Sequence, residues 1–189
     1  MSLLQMYFAT LKFSEKSKLV SNTYIDTRGF TLIELITSTA ILAILVIIAV
    51  PNFSFFLAKS RVDNEITQLH NLLLVARNHA VNLELPITLC PLNEQQKCCD
   101  DWQAELSVFI DLNDNKTYEP TNNETLLRVK SAVSRGDKLQ YGLYRKRIKY
   151  APTGRTVGWG SNGTFKYCPK DFHSLARGII IATSGRLYL

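Results

Sequence analysis

The chain has 189 residues, of which 46% are hydrophobic and 20% are charged, and its net charge is +6. This length fits one globular domain of ordinary size with an additional segment, and it excludes a chain of several large domains. The additional segment stands near the N-terminus, and the predicted elements follow it in chain order.

An apolar run extends from Phe30 to Phe56, and Glu34 is its only ionisable residue. About 20 apolar residues are enough to span the hydrocarbon core of a bilayer. A cleaved secretory signal peptide is the alternative, but its apolar core would be shorter, nearer the start and followed by a small-residue cleavage site. The segment Ala49–Phe53, within this run, makes a poor site of that kind. The run is therefore predicted to stay in the membrane.

The flanks of this run predict its orientation. Residues 1–29 hold four Lys and Arg against two Asp and Glu, and this excess favours a cytoplasmic N-terminus. Lys59 and Arg61, on the far side, weaken the excess without reversing it. The body of the protein is therefore predicted to lie outside the cytoplasm.

Four cysteines are consistent with a compartment in which disulfides persist. They are Cys90, Cys98, Cys99 and Cys168. A bond between Cys98 and Cys99 would be strained, which leaves a short loop from Cys90 to Cys98 or Cys99 and a long loop from the other cysteine to Cys168. Both pairings predict that no thiol is free. A zinc site is the alternative, but the sequence has no CxxC pair with a nearby His, and no metal is predicted.

Apolar residues beyond Pro51 recur at spacings of four and three, which is typical of one face of a helix. They are Val62, Ile66, Leu69, Leu73, Ala76, Ala80 and Leu83. Pro51 removes one helix hydrogen bond and predicts a kink, whereas Pro86 ends the helix. One long helix is therefore predicted to leave the membrane and to pack this stripe on a sheet.

The chain after Pro86 consists of short strands between turn signals. The predicted strands are Ile87–Cys90, Leu106–Ile110, Leu126–Val133, Leu139–Tyr144, Arg147–Tyr150, Thr164–Tyr167, Gly178–Thr183 and Arg186–Leu189. The predicted fold class is α+β, with a long N-terminal helix packed on an antiparallel β-sheet. No motif of a nucleophile, phosphate loop or metal site is present, and His70, His79 and His173 are isolated, so no enzymatic activity is predicted.

Residues Arg28–Glu34, with the sequence Arg-Gly-Phe-Thr-Leu-Ile-Glu, resemble the type IV prepilin signature. In that family a prepilin peptidase cuts after the glycine and methylates the new N-terminal residue. The resemblance implies cleavage between Gly29 and Phe30, and it implies that Glu34 pairs with the N-terminus of a neighbouring subunit. Placing a carboxylate in hydrocarbon is energetically unfavourable, so an ionisable residue found there is expected to have a function. A Glu34 side chain that merely reaches the membrane edge is the alternative.

Further motifs narrow this resemblance. In chain order they are Leu89-Cys90-Pro91, Trp102, Val108–Asn115, Gly163–Cys168 and Gly178–Arg186. Together they are similar to the GspH/FimT group, which contains minor pilins of type IV pili and the minor pseudopilin H of type II secretion. The Cys-Pro and Gly-Thr-Phe motifs are closer to FimT/FimU-type minor pilins.

The resemblance implies the type IV pilin fold in four parts. They are a leader at residues 1–29, a transmembrane helix at 30–51, an outer amphipathic helix at 52–85 and a β-rich domain at 86–189. It also implies an inner-membrane protein with a periplasmic domain, incorporated into a pilus or pseudopilus. The expected partners are other pilins and the prepilin peptidase, and no cofactor is expected.

Charge suggests a further partner. Residues 59–127 hold five Lys and Arg against eleven Asp and Glu, whereas residues 128–189 hold thirteen against two. The predicted DNA-binding residues are Arg145, Lys146, Arg147, Lys149, Arg186 and Tyr188, with Tyr144 also available for base stacking. Some FimT-type pilins bind DNA in natural transformation through a Gly-Arg-x-Arg motif, but Tyr188 replaces the second arginine here. A solvated basic face, or one that docks on an acidic neighbouring subunit, is the alternative.

The segment Asp111–Asn115 is similar to the start of a calcium loop. Lys116 replaces the glycine of that motif, and Asn122 stands where a glutamate is required. A hairpin turn rich in Asp and Asn explains the segment as well.

Overall fold

The computed structural model describes residues 29–142, 144–158 and 161–189. The chain divides into two compact units, Met1–Ile44 and Leu45–Leu189. Residues 1–28 of the predicted leader lie outside the described residues, and so do the side chains of Pro51 and Asn52. The kink predicted at Pro51 therefore stays a prediction.

The N-terminal helix, α1, extends over 52 residues, Leu32–Leu83. At its start the Thr31 hydroxyl accepts a hydrogen bond from the Glu34 amide at 3.3 Å, which satisfies one of the free amides of the first turn. At its end Glu84 adopts a left-handed conformation with φ 55°, a common way for a helix to finish. Pro86 then prevents its continuation.

The predicted apolar stripe of α1 is buried with one exception. Its buried members are Val62, Ile66, Leu69, Leu73, Ala76 and Ala80. Leu83 was wrongly included, because it lies in the last turn and is 44% exposed. Ala58 and Leu72 are buried in addition. The amphipathic pattern thus identifies the helix face that contacts the sheets.

The described residues after α1 form eight strands, and all their pairings are antiparallel. They are β1 (Ile87–Pro91), β2 (Leu106–Ile110), β3 (Leu126–Lys130), β4 (Lys138–Tyr141), β5 (Ile148–Tyr150), β6 (Gly163–Cys168), β7 (Arg177–Ile181) and β8 (Leu187–Tyr188). They form two four-stranded sheets, in the orders β3-β2-β1-β5 and β4-β6-β7-β8, rather than the single sheet predicted. The chain crosses between the sheets from β3 to β4, from β4 to β5 and from β5 to β6. Gly142 and Tyr144, which lie between β4 and β5, both have positive φ.

An aromatic cluster lies in the core beside β4 and β6. The Tyr141 and Phe165 rings stack with centroids 4.3 Å apart, and Trp102 meets both rings edge-on at 5.0 and 5.2 Å. Tyr150 and Tyr167 are fully buried in the same core. Burial raises the pKa of Tyr141 to about 12, so this phenol stays neutral at physiological pH.

Polar contacts add to the apolar stripe on α1. The Arg61 guanidinium lies 2.8 Å from the carboxylate of buried Asp137, which also accepts hydrogen bonds from the Tyr167 hydroxyl and the Lys170 amide. Two further ion pairs join α1 to β-strands, and an arginine of α1 donates a hydrogen bond to a carbonyl in a turn. These contacts are Glu65–Lys130 at 2.6 Å, Asp63–Arg177 at 2.8 Å and Arg77 to the Gly154 carbonyl at 3.1 Å. We call these four contacts the helix clamp.

Candidate functional site

The first part of α1 exposes an apolar surface. Its most apolar 18-residue window has a mean hydropathy of 2.6, and none of that window is buried inside the protein. By length and composition, this helix could cross a membrane, and it is the only such helix in the described residues. The exposed apolar side chains include Phe30 at 82% and Leu32 at 77%.

Glu34 is the acidic residue of the first turn of α1. Its backbone carbonyl accepts hydrogen bonds from the hydroxyls of Ser38 at 2.8 Å and Thr37 at 3.1 Å. Both hydroxyls thus find their hydrogen-bond acceptor within the helix, because an unpaired polar group in an apolar environment is unfavourable. Over the part of the chain that the structure describes, no cation lies within ion-pair distance of the Glu34 carboxylate. A partner for this charge would have to come from elsewhere.

The cysteines pair differently from the prediction. Cys90 and Cys98 form a disulfide with their Cα atoms 5.5 Å apart, which is the predicted short loop. The long loop is wrong, because Cys99 and Cys168 are free thiols. Cys99 donates instead to the Pro91 carbonyl at 3.5 Å, and Cys168 ends β6 opposite Lys138. Closing the short loop contributes about 2.5 kcal/mol in the chain-entropy model.

The predicted DNA-binding residues do not form one free basic surface. Arg147 pairs with Asp111 and Asp114, and the Lys149 ammonium lies 2.9 Å from the Asp114 carboxylate. Burial raises the pKa of Asp114, but hydrogen bonds from the two cations outweigh that effect and hold it below its usual value. These two cations are therefore largely neutralised by the protein itself.

The same ion pairs argue against a calcium site at Asp111–Asn115. The Arg147 guanidinium supplies the positive charge beside Asp111 and Asp114 that a metal would otherwise supply. Asn113 and Asn115 accept backbone amides two residues ahead, as turn-forming side chains do. Among the described residues, no group of three or more His, Cys, Asp or Glu side chains could hold a metal ion. The segment is an Asx-rich turn closed by an arginine.

Arg145 packs against Tyr141. Its guanidinium lies 5.6 Å from the Tyr141 ring centroid, and its carbonyl accepts a 2.7 Å hydrogen bond from the Trp102 indole. A Cβ at Gly163 would stand 2.3 Å from the Arg145 side chain, and a Cβ at Gly142 would stand 2.4 Å from it. Two glycines therefore make the space for this arginine.

The remaining predicted DNA contacts are exposed. Lys146 and Arg186 lie on the surface, Tyr188 is 51% exposed and Tyr144 is 81% exposed. Arg186 follows the tight turn at Gly185, whose φ is 77°. A Cβ at Gly185 would meet the Gly154 carbonyl oxygen at 1.9 Å, so the turn requires glycine.

Sequence reasoning missed an open groove and the buried Asp137. The groove, of about 770 Å³, is lined by Asp100, Asp101, Trp102, Gln103, Leu139, Gln140, Tyr141, Gly142, Tyr144, Arg145, Gly163, Thr164 and Lys166. The sequence could have indicated a special role for Asp137, because Asp137 is one of only two acidic residues after Arg128. The groove combines distant segments and has no comparable signal.

Comparisons with known proteins agree with these features. A family model described as type II transport protein GspH matches residues 65–185, and one described as the prokaryotic N-terminal methylation motif matches residues 26–50. A search of curated proteins found no match.

The fold is similar to two crystal structures of the type IV minor pilin FimU from Pseudomonas aeruginosa PAO1, in space groups P21 and P65. Sequence identity is 20% in both, with TM-scores of 0.52 and 0.50. The match covers 69% of this chain, and 85% and 90% of the two FimU chains. Since the GspH model matches more than half of the sequence, the chain belongs to the GspH family of pilin-like proteins, which are structural proteins and not enzymes.

Proposed function

We propose that this chain is a minor pilin of a type IV pilus, incorporated through its N-terminal helix and helping to prime pilus assembly. One observation carries the proposal: an N-terminal methylation motif and a GspH-family domain with the fold of a minor pilin stand in the same chain. The exposed apolar part of α1 supports it, because such a surface requires lipid or neighbouring helices around it.

In this proposal a prepilin peptidase removes residues 1–29 and methylates Phe30. Residues 30–51 hold the protein in the inner membrane, with the N-terminus in the cytoplasm and the globular domain in the periplasm. Glu34 then pairs with the α-amino group of a neighbouring pilin. This step is supported by the absence of a cation beside Glu34 in the described residues, since a carboxylate in hydrocarbon requires a partner.

A role as minor pseudopilin H of a type II secretion system is the second candidate. It is favoured by the description of the matching family, type II transport protein GspH. The same apolar helix and the same carboxylate would serve assembly in either filament, so a measurement in cells has to separate them.

Deletion of the gene separates these candidates. We expect the deletion strain to lose most of its surface pili and to keep normal exoprotein secretion. Pili are counted by electron microscopy of sheared filaments, and secretion is measured as enzyme activity in the culture medium. Complementation with the wild-type gene is the control. Normal piliation together with lost secretion would contradict the pilin proposal and favour the pseudopilin.

DNA binding during natural transformation is a finer part of the proposal. It is supported by the exposed cations Lys146 and Arg186 and by the exposed rings of Tyr144 and Tyr188. Cations that neutralise phosphates release counterions, and aromatic rings stack on bases without sequence preference. Arg147 and Lys149 contribute less, because their ion pairs would have to break first.

A gel shift at several salt concentrations tests this part. We expect Lys146→Ala and Arg186→Ala each to lower the slope of log affinity against log salt by about 0.7–0.9, the contribution of one phosphate contact. Arg135→Ala, at an exposed arginine outside the predicted set, is the matched control. No shift of the wild-type protein at low salt would rule out DNA binding and leave pilus assembly untouched.

A further inference from the structure

Two loops of the globular domain contact α1 where the apolar run of the helix ends. The Phe172 ring, in the loop between β6 and β7, packs edge-on against the Phe55 ring with centroids 5.7 Å apart. Less than two turns further along the helix, Arg61 lies 2.8 Å from Asp137, in the turn before β4. Since the apolar run ends at Phe56, these contacts place both loops beside its end.

Four exposed cations belong to the segments that make these contacts. Lys59 stands four residues after Phe55, so it lies on the same face of the helix, one turn further on. Arg135 and Lys138 flank Asp137 in the chain. The fourth cation belongs to the loop between β6 and β7. We call these four exposed residues, Lys59, Arg135, Lys138 and Lys170, the basic cluster.

Lys170 connects the two loops. Its backbone amide donates a hydrogen bond to the Asp137 carboxylate at 2.9 Å, and a Cβ added at Gly136 would stand 2.8 Å from its side chain. The aliphatic stem of Lys170 therefore packs on the turn before β4, while the residue as a whole stays exposed. The cations of the turn and of the loop are thus held close to one another.

The positive charge of the basic cluster has no internal partner. None of its four cations forms an ion pair among the described residues. The Asp137 carboxylate is buried and already pairs with Arg61. Asp171 is the exposed acidic residue of the loop between β6 and β7, so four positive charges against one negative charge leave a balance of +3.

We infer that the basic cluster binds the phosphate groups of anionic phospholipids at the membrane surface. The inference rests on the proposed function, in which residues 30–51 span the membrane and the end of the apolar run at Phe56 lies at the level of the headgroups. Lys59 follows three residues later, about 4.5 Å along the helix axis. Lysine and arginine side chains beside the end of a membrane helix extend to the headgroups, and anionic lipids attract them.

Lipid selectivity tests the inference. The processed full-length chain is reconstituted into phosphatidylcholine vesicles that contain a trace of spin-labelled phosphatidylglycerol or spin-labelled phosphatidylcholine. Electron spin resonance then measures how strongly each labelled lipid associates with the protein. We expect phosphatidylglycerol to associate about fivefold more strongly, which corresponds to the attraction of one cation for one headgroup. At about 1 M salt, which screens charges over about 3 Å, this preference should fall towards one. Inorganic phosphate at constant ionic strength should leave it unchanged, because the bilayer brings the lipid phosphates to the cluster.

A variant without the basic cluster should lose the preference. In Lys59→Gln/Arg135→Gln/Lys138→Gln/Lys170→Gln we expect the two lipids to associate with a ratio of about one. The exchanged side chains are exposed and form no ion pair in the described part of the chain, so the variant should fold, and its denaturation midpoint checks this. Lys97→Gln, at an exposed lysine between β1 and β2, is the matched control and should keep the wild-type preference.

Equal association of the two lipids with the wild-type chain would overturn the inference, and so would a preference that the quadruple variant retains. If the two lipids associate equally and the quadruple variant is lost from sheared filaments, the basic cluster contacts an acidic neighbouring subunit instead of lipid. None of these results changes the pilus count of the deletion strain. A chain that does not stay in the vesicles would contradict the membrane anchor of the proposed function as well, so the two failures are distinguishable.

Discussion

Replacing Asp137 with alanine should lower the free energy of unfolding of the globular domain by about 3 kcal/mol, because breaking a buried ion pair strands its partners. The Tyr167 hydroxyl and the Lys170 amide would both lose their acceptor. Arg61 stays 40% exposed and can be hydrated, which places the loss at the lower end of the usual range. Denaturant titration of the chain in detergent, followed by tryptophan fluorescence, measures the change.

Asp171 provides the matched control for this variant. It is the other acidic residue after Arg128 and lies exposed on the surface. Asp171→Ala should shift the free energy of unfolding by no more than about 0.5 kcal/mol, as most surface substitutions do. Equal losses for the two variants would mean that Asp137 has no special role in attaching α1 to the sheets.

Replacing Glu34 with alanine should reduce incorporation into the filament about tenfold, which corresponds to about 1.4 kcal/mol of lost pairing free energy. Glu34→Gln should behave like Glu34→Ala, because it preserves size and removes charge. Glu34→Asp should retain part of the incorporation, because the charge is kept on a shorter side chain. Immunoblots of sheared filaments against whole-cell protein measure the effect.

Two controls make this result interpretable. The mature N-terminus of each variant, identified by mass spectrometry, should still be methylated Phe30, which excludes a processing defect. The denaturation midpoint of the globular domain should be unchanged, since Glu34 belongs to a different compact unit from the sheets. Normal incorporation of the alanine variant would show that the carboxylate has no pairing role in assembly.

The elements that local patterns encode were predictable from the sequence. The buried stripe of α1 follows from spacings of four and three, and the eight strands follow from turn signals. Leu83 was misplaced because periodicity alone does not show where the covering sheet ends. The division into two sheets was missed because it depends on which distant strands pair, as β5 does with β1 instead of with its chain neighbours β4 and β6.

Long-range pairings could not be predicted in the same way. Arg147 and Asp111 are 36 positions apart, and no spacing rule links them. The sequence therefore predicted an Arg147 side chain that is available to bind DNA, although a carboxylate of the protein pairs with it. The second disulfide was expected from the even number of cysteines, but counting does not show which sulfurs come together. Asp100 and Lys166 line one groove only because separate elements meet there.

The helix clamp has a mechanical consequence. Its four contacts leave α1 between residues 61 and 77 and reach four different elements: the turn before β4, β7, β3 and the turn after β5. A pull along the axis of this segment would load these contacts in parallel as shear, instead of peeling them apart one after another. The globular domain is thus attached to its helix in a way that resists tension along that helix, as the proposed incorporation into a filament would require.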